Sequence, residues 1–221
     1  MTLKNIWTDN PDRSRGYKIV DNTFSAITHG IGFGLSIAGL VLLIIKAAQS
    51  SSAIKVISFT LYGISLILLY LFSTLYHSLI FTRAKKVFQV FDHSSIFILI
   101  AGSYTPYALV AIGGAKGWII WLIINALAVT GILFYIFNQG KHVVLDTIIY
   151  VAMGWFVLLA SKDLYPVLGP WGFSLLVWGG VAYTVGAVLF SMRRVPFIHV
   201  IWHLFVMLGS ILMYFSILLY V

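Results

Sequence analysis

Cysteine and glutamate are both missing from this chain of 221 residues. Without cysteine there is no disulfide and no thiolate metal site, so any metal must be held by histidine, aspartate or water. Without glutamate, the acidic side chains are six aspartates. Charge of either sign is scarce, at 9% of residues, while 61% are hydrophobic and the mean hydropathy is +1.00. A soluble domain of this length needs far more polar surface, so the composition points to an integral membrane protein. Also absent are GxSxG, HExxH and any phosphate-cradling glycine loop, which removes support for serine hydrolase, zincin and nucleotide hydrolase readings. The net charge of +8 fits cationic loops facing an anionic leaflet rather than a nucleic-acid partner. The first 20 residues are polar and contain Pro11. They form no cleavable signal peptide and read as a short cytoplasmic tail.

What is present is a series of apolar runs long enough to cross a bilayer. They lie near 24–45, 56–80, 88–112, 117–137, 143–161, 171–191 and 197–220. The connections carry turn or charge signals: 46–55, the stretch around 82–86, the glycine turn at 113–117, 138–142, the Pro- and Gly-bearing 161–170, and 193–196. No soluble domain fits in any of them. The predicted fold is therefore all-α, a single seven-helix transmembrane bundle spanning 1–221.

Lys and Arg set the predicted orientation. One side collects Lys4, Arg13, Arg15, Lys18, Arg83, Lys85, Lys86, Lys141, Arg193 and Arg194. The other holds Lys46, Lys55, Lys116 and Lys162. The positive-inside rule then places the N-terminus in the cytoplasm and the C-terminus outside.

With that topology, the intramembrane polar residues converge in the inner half of the membrane. His199 and His203, spaced HxxxH, lie one above the other on a helix face, roughly 6 Å apart along its axis. Neither belongs in hydrocarbon without a partner. His77 and Ser73 fall in the last turns of helix 2, Asp92 and His93 at the start of helix 3, and His29 near the start of helix 1. A catalytic zinc usually takes three protein ligands and leaves one position open. His77, His199 and His203 supply three imidazoles from two helices. A carboxylate beside such a site can orient a water and accept its proton, which suits Asp92. Ser73, one turn before His77, can hydrogen-bond the water, the carboxylate or a substrate carbonyl.

Plainer readings stand beside these. The HxxxH pair can be two histidines bonded to neighbours or water, and Asp92 can be the N-cap of helix 3. His93 points away from Asp92 and reads as a structural hydrogen-bonder. His29 is an outer-shell group, the lining of an access path, or a partner of Asp21. Asp146 pairs with a Lys or Arg. Tryptophans at span ends and within helices read as belts and packing. Glycines at 30–34 and 179–180 permit close helix approach. Imidazole and carboxylate ligation also suits first-row metals other than zinc.

Taken together, THGIG at 28–32, Ser73-Thr-Leu-Tyr-His77, FDHSSIFILIAGSYTPY at 91–107, MGW at 153–155 and HVIWH at 199–203 resemble the hemolysin III family. That family is the bacterial branch of the progestin and adiponectin receptor superfamily. The resemblance implies seven helices, a cytoplasmic N-terminus, a bacterial plasma-membrane location and a zinc ion near the inner leaflet held by His77, His199 and His203. It also implies catalytic positions at Asp92 and Ser73, and a zinc-dependent hydrolase acting on amide or ester bonds of lipids from the inner leaflet. The segment before the TH motif departs from the family's usual acidic residues followed by Asn, reading Asp21, Asn22 and Ser25. The alternative is a non-enzymatic protein with a structural zinc, either membrane-perturbing and pore-forming or a sensor of membrane lipids.

Overall fold

The fold was obtained as a computed structural model, which describes residues 13–138, 143–191 and 195–221. The described chain is helical almost throughout. Helix α1 runs Arg15–Ala48, α2 Ala53–Ser78, α3 Lys85–Pro106, α4 Gly114–Asn138, α5 Val143–Trp155, α6 Ser161–Ser191 and α7 Ile198–Tyr220. A π-helical turn, Tyr107–Ile112, extends α3, and a 3-10 segment, Phe156–Ala160, joins α5 to α6. Six helical stretches are long and apolar enough to cross a membrane, the fifth of them being Leu145–Phe190 across α5 and α6. The protein is thus a multi-pass membrane helical bundle.

Local chemistry explains the element ends. Ser14 caps α1 by accepting a hydrogen bond from the Tyr17 amide, and Ser52 caps α2 by accepting one from Lys55. Between α3 and α4, Gly113 and Gly114 both have positive φ, 66° and 55°. Two consecutive left-handed residues are readily taken only by glycine. Within α6, Gly169 (φ 62°, ψ −178°) breaks the helix, and Pro170 then stands at the first position of the following stretch, where its missing N–H costs nothing.

Two of the predicted boundaries need correction. The expected polar tail 1–20 gives way to helix from Arg15 onward. Hydropathy marks only the part of a helix in lipid, whereas Ser14 nucleates α1 in polar sequence. The expected connection 161–170 is helical up to the break at Gly169, so the turn signal was real at its glycine and misleading before it.

Four long-range contacts define two ends of the bundle. At one end, Tyr17 accepts a hydrogen bond from the Phe197 amide at 2.7 Å, and His77 meets Asn22 at 2.9 Å. At the other, Lys116 pairs with Asp163 at 2.6 Å, and the Lys55 ammonium donates to the Val221 carbonyl at 2.7 Å. Helix α1 packs between α2 and α7, while α3 is the most buried of the apolar stretches and α4 among the most exposed. The buried stripe of α1 is Ser25, His29, Gly32, Ser36, Gly39, Leu43 and Ala47, small or polar residues at helical spacing except for Leu43. Gly32 admits the Tyr70 ring of α2, which a Cβ would meet at 2.6 Å, and the Tyr214 hydroxyl of α7 donates to the Gly39 carbonyl at 3.0 Å. This stripe lets α1 lie close against both helices that carry the histidines. Leucine, isoleucine and valine dominate the outer surface, as a lipid-facing wall requires.

Candidate metal centre

Three imidazoles converge at the Tyr17 end of the bundle. A ring nitrogen from each of His77, His199 and His203 lies within 4.8 Å of the other two. His77 Nε2 and His199 Nε2 are 3.0 Å apart. A tetrahedral zinc with bonds of about 2.0–2.1 Å would separate two nitrogens by about 3.3 Å, so the pair is spaced as ligands of one ion would be. His77 and His203 are buried and His199 is half-buried. The group can hold a metal ion.

The protein holds two of these rings from behind. The Asn22 Nδ2 donates to the Lys18 carbonyl at 2.8 Å, which turns its Oδ1 toward His77 Nδ1 at 2.9 Å. An amide oxygen only accepts, so Nδ1 of His77 carries the proton and Nε2 keeps its lone pair. His203 Nδ1 likewise donates to the Ser25 carbonyl at 3.2 Å, leaving its Nε2 available to the cluster. Carbonyl or amide partners on the outer nitrogen are what orient metal-binding histidines generally. Both partners come from α1. Helix α7 is set in place just before His199, where Phe197 takes a left-handed conformation and its amide is held by Tyr17.

Beside the cluster opens a cavity of about 140 Å³. His199, His203, His29, Ser73, Asp92 and His93 are among its walls at the cluster end. Leu99, Ile100, Tyr104, Val206 and Met213 line it further along, with Trp155, Tyr183 and Trp202. Asp92 stands outside the three-histidine group yet faces the same space, with the Ser73 hydroxyl within hydrogen-bonding reach of its carboxylate. The arrangement offers a metal seat, a carboxylate beside it, and an apolar chamber.

Asp92 is not the N-cap of α3. The helix begins at Lys85 and Asp92 lies two turns inside it, because Lys85 and Lys86 are helical rather than part of the loop. His93 hydrogen-bonds the Gln89 carbonyl at 2.9 Å and stacks on Tyr135, as a structural histidine would, while also reaching the cavity wall. His29 is not hydrogen-bonded to Asp21; its ring stacks on His203 with centroids 3.5 Å apart and lines the cavity. Asp146 is buried in α5 and is not among the cavity residues. Trp155 and Trp202 are cavity walls rather than packing alone, while Trp171 and Trp178 are exposed as belt residues are. His142 lies outside the described residues.

The comparison with known proteins agrees with this architecture. Residues 17–214 match the family model for haemolysin-III related proteins. The chain belongs to that family. Hemolysin-3 of Bacillus cereus is 49% identical over 197 residues, covering 89% of this chain and 90% of the relative. The Hemolysin-3 homolog of Bacillus subtilis is 45% identical over 204 residues, 92% of this chain and 96% of the relative. The human monocyte to macrophage differentiation factor is 29% identical over 167 residues, 71% of this chain and 67% of that protein. This more distant match supports the resemblance to the progestin and adiponectin receptor superfamily.

Proposed function

We propose that this protein is an intramembrane zinc hydrolase that cleaves acyl bonds of lipids drawn from the cytoplasmic leaflet. The observation that carries the proposal is the joint placement of three imidazoles, a carboxylate and a serine hydroxyl beside an apolar cavity. Three imidazoles are a ligand set that catalytic zinc uses, which supports zinc at this seat. When bound, such an ion supplies a Lewis acid for a carbonyl and lowers the pKa of a water. Asp92 takes the proton from the attacking water and returns it to the leaving amine nitrogen or alcohol oxygen as the acyl bond breaks, and Ser73 holds that carboxylate in place. The aliphatic and aromatic walls bind the acyl chain and keep bulk water out, which strengthens every electrostatic contact inside. Asn22 and the Ser25 carbonyl hold two of the imidazoles so that their lone pairs face inward.

Seven crossings belong to the same proposal. The stretch Leu145–Phe190 has 46 residues, about 69 Å as continuous helix, more than twice the roughly 30 Å hydrocarbon core. The Gly169 break and the Lys116–Asp163 contact support its division into two passes. The cationic residues gathered at the metal end support a cytoplasmic N-terminus and an external C-terminus in a bacterial plasma membrane.

The test is fatty acid release by purified protein from ceramide-like amides and phospholipid esters. Asp92→Ala should retain its metal and lose turnover by about a hundredfold or more, the usual worth of a general base. Wild-type protein that turns over no lipid class would defeat the proposal. The name of the Bacillus relatives raises a lytic alternative; liposome leakage persisting in His77→Ala would favour it.

A further inference from the structure

His29 is the polar group in the cavity that this mechanism leaves without a task. It is 3% exposed, and neither of its ring nitrogens has a hydrogen-bond partner among the described residues. Burying such a group unsatisfied is unfavourable. The ring is held firmly by its faces and edge instead. It stacks on His203 at 3.5 Å and 13°, and meets Tyr70 edge-on at 5.0 Å. Tyr70 is itself seated over Gly32, where any Cβ would collide with it. The imidazole is thus held by its ring contacts, while its nitrogens are left for something in the cavity.

We propose that His29 is the headgroup anchor of the cavity and that it selects uncharged acyl lipids carrying a free hydroxyl near the acyl bond. This rests on the lipid-hydrolase reading above and names its substrate class. A neutral imidazole offers one donor and one acceptor. A hydroxyl can satisfy either nitrogen, whereas an ether or ester oxygen can satisfy only the N–H. Among the described residues, no Lys or Arg lines the cavity, so a phosphate headgroup finds no counter-charge from its walls. Apart from Asp92 and the histidines, the lining is aliphatic, aromatic or hydroxyl-bearing, with Ser73, Ser103, Thr147 and Thr184 among its hydroxyls. Because His29 stacks on His203, the anchored hydroxyl sits beside the metal seat, which brings the neighbouring acyl bond to Asp92.

Binding, rather than turnover, tests this. Dissociation constants of a monoacylglycerol and of its di-O-methyl ether, which has no free hydroxyl, are measured on the purified, metal-loaded full chain by tryptophan fluorescence, to which Trp155 and Trp202 respond. Wild type should prefer the hydroxyl lipid by about tenfold or more, the fold-change for leaving one buried partner unsatisfied. His29→Phe, which keeps the stacking, should bind both equally with its metal content unchanged. His29→Gln, which restores a donor and an acceptor, should recover part of the preference. Equal binding of the two lipids by wild type overturns the inference, as does a preference that survives His29→Phe. Loss of metal in both variants also overturns it, since His29 would then serve the cluster. A wild-type preference without any lipid turnover would leave the anchor standing and defeat the hydrolase reading alone.

Discussion

At the residue scale, the site depends on side chains that never touch substrate. Asn22 illustrates this: its amide is pinned by the Lys18 carbonyl, so its oxygen can do nothing but accept from His77. Asn22→Ala should lower metal affinity by about 10–100-fold, the typical effect of removing an orienting partner, with helicity unchanged. Chelator competition on the purified protein measures it, and an unchanged affinity would show that Asn22 does not orient His77. The histidines themselves were legible in the sequence, because HxxxH and SxxxH place groups on one face of a helix whatever surrounds them. Asn22 and Ser25 were not legible in that way. One acts through its amide and the other through a backbone carbonyl, and a backbone group leaves no trace in the choice of side chain.

At the element scale, α1 is the piece whose importance hydropathy hides. Its inward stripe of Ser25, His29, Gly32, Ser36 and Gly39 is neither strongly apolar nor strongly polar. What it supplies is closeness to α2 and α7. Gly32→Ala should therefore push on the Tyr70 ring and cost about 1–3 kcal/mol, as overpacking commonly does. Thermal unfolding in detergent would show it as a lowered midpoint, and a midpoint equal to wild type would mean that the α1–α2 contact is loose. The start of α3 was misplaced for a related reason. Lys85 and Lys86 looked like loop charges, yet they occupy the first turn of the helix, where their long side chains can reach past the hydrocarbon. The region 161–170 misled in the same direction. Its proline and glycine signals were read as one loop, whereas the chain stays helical until the single left-handed residue Gly169.

At the scale of the whole molecule, the ordering of apolar runs and the bias of Lys and Arg carried most of the architecture, since the bilayer imposes both length and charge. The absence of cysteine makes the orientation directly testable. Lys116→Cys and Phe81→Cys place single thiols at exposed positions on opposite ends of the bundle. A membrane-impermeant maleimide should label the first in intact cells and the second only after permeabilisation. The reverse pattern would invert the topology and put the metal end outside. What the sequence left unread at this scale is the cavity, because its walls come from distant helices and no local pattern announces a void.

The functional expectations rest on one ion being held between α2 and α7. The most direct measurement is the metal content of the purified protein beside that of His199→Ala, which removes the ligand 3.0 Å from His77. Wild type should carry about one equivalent of zinc, the content of a single three-histidine seat, and the variant should lose it while remaining helical and monodisperse. A His199→Ala protein that keeps its full equivalent would contradict the assignment of the centre.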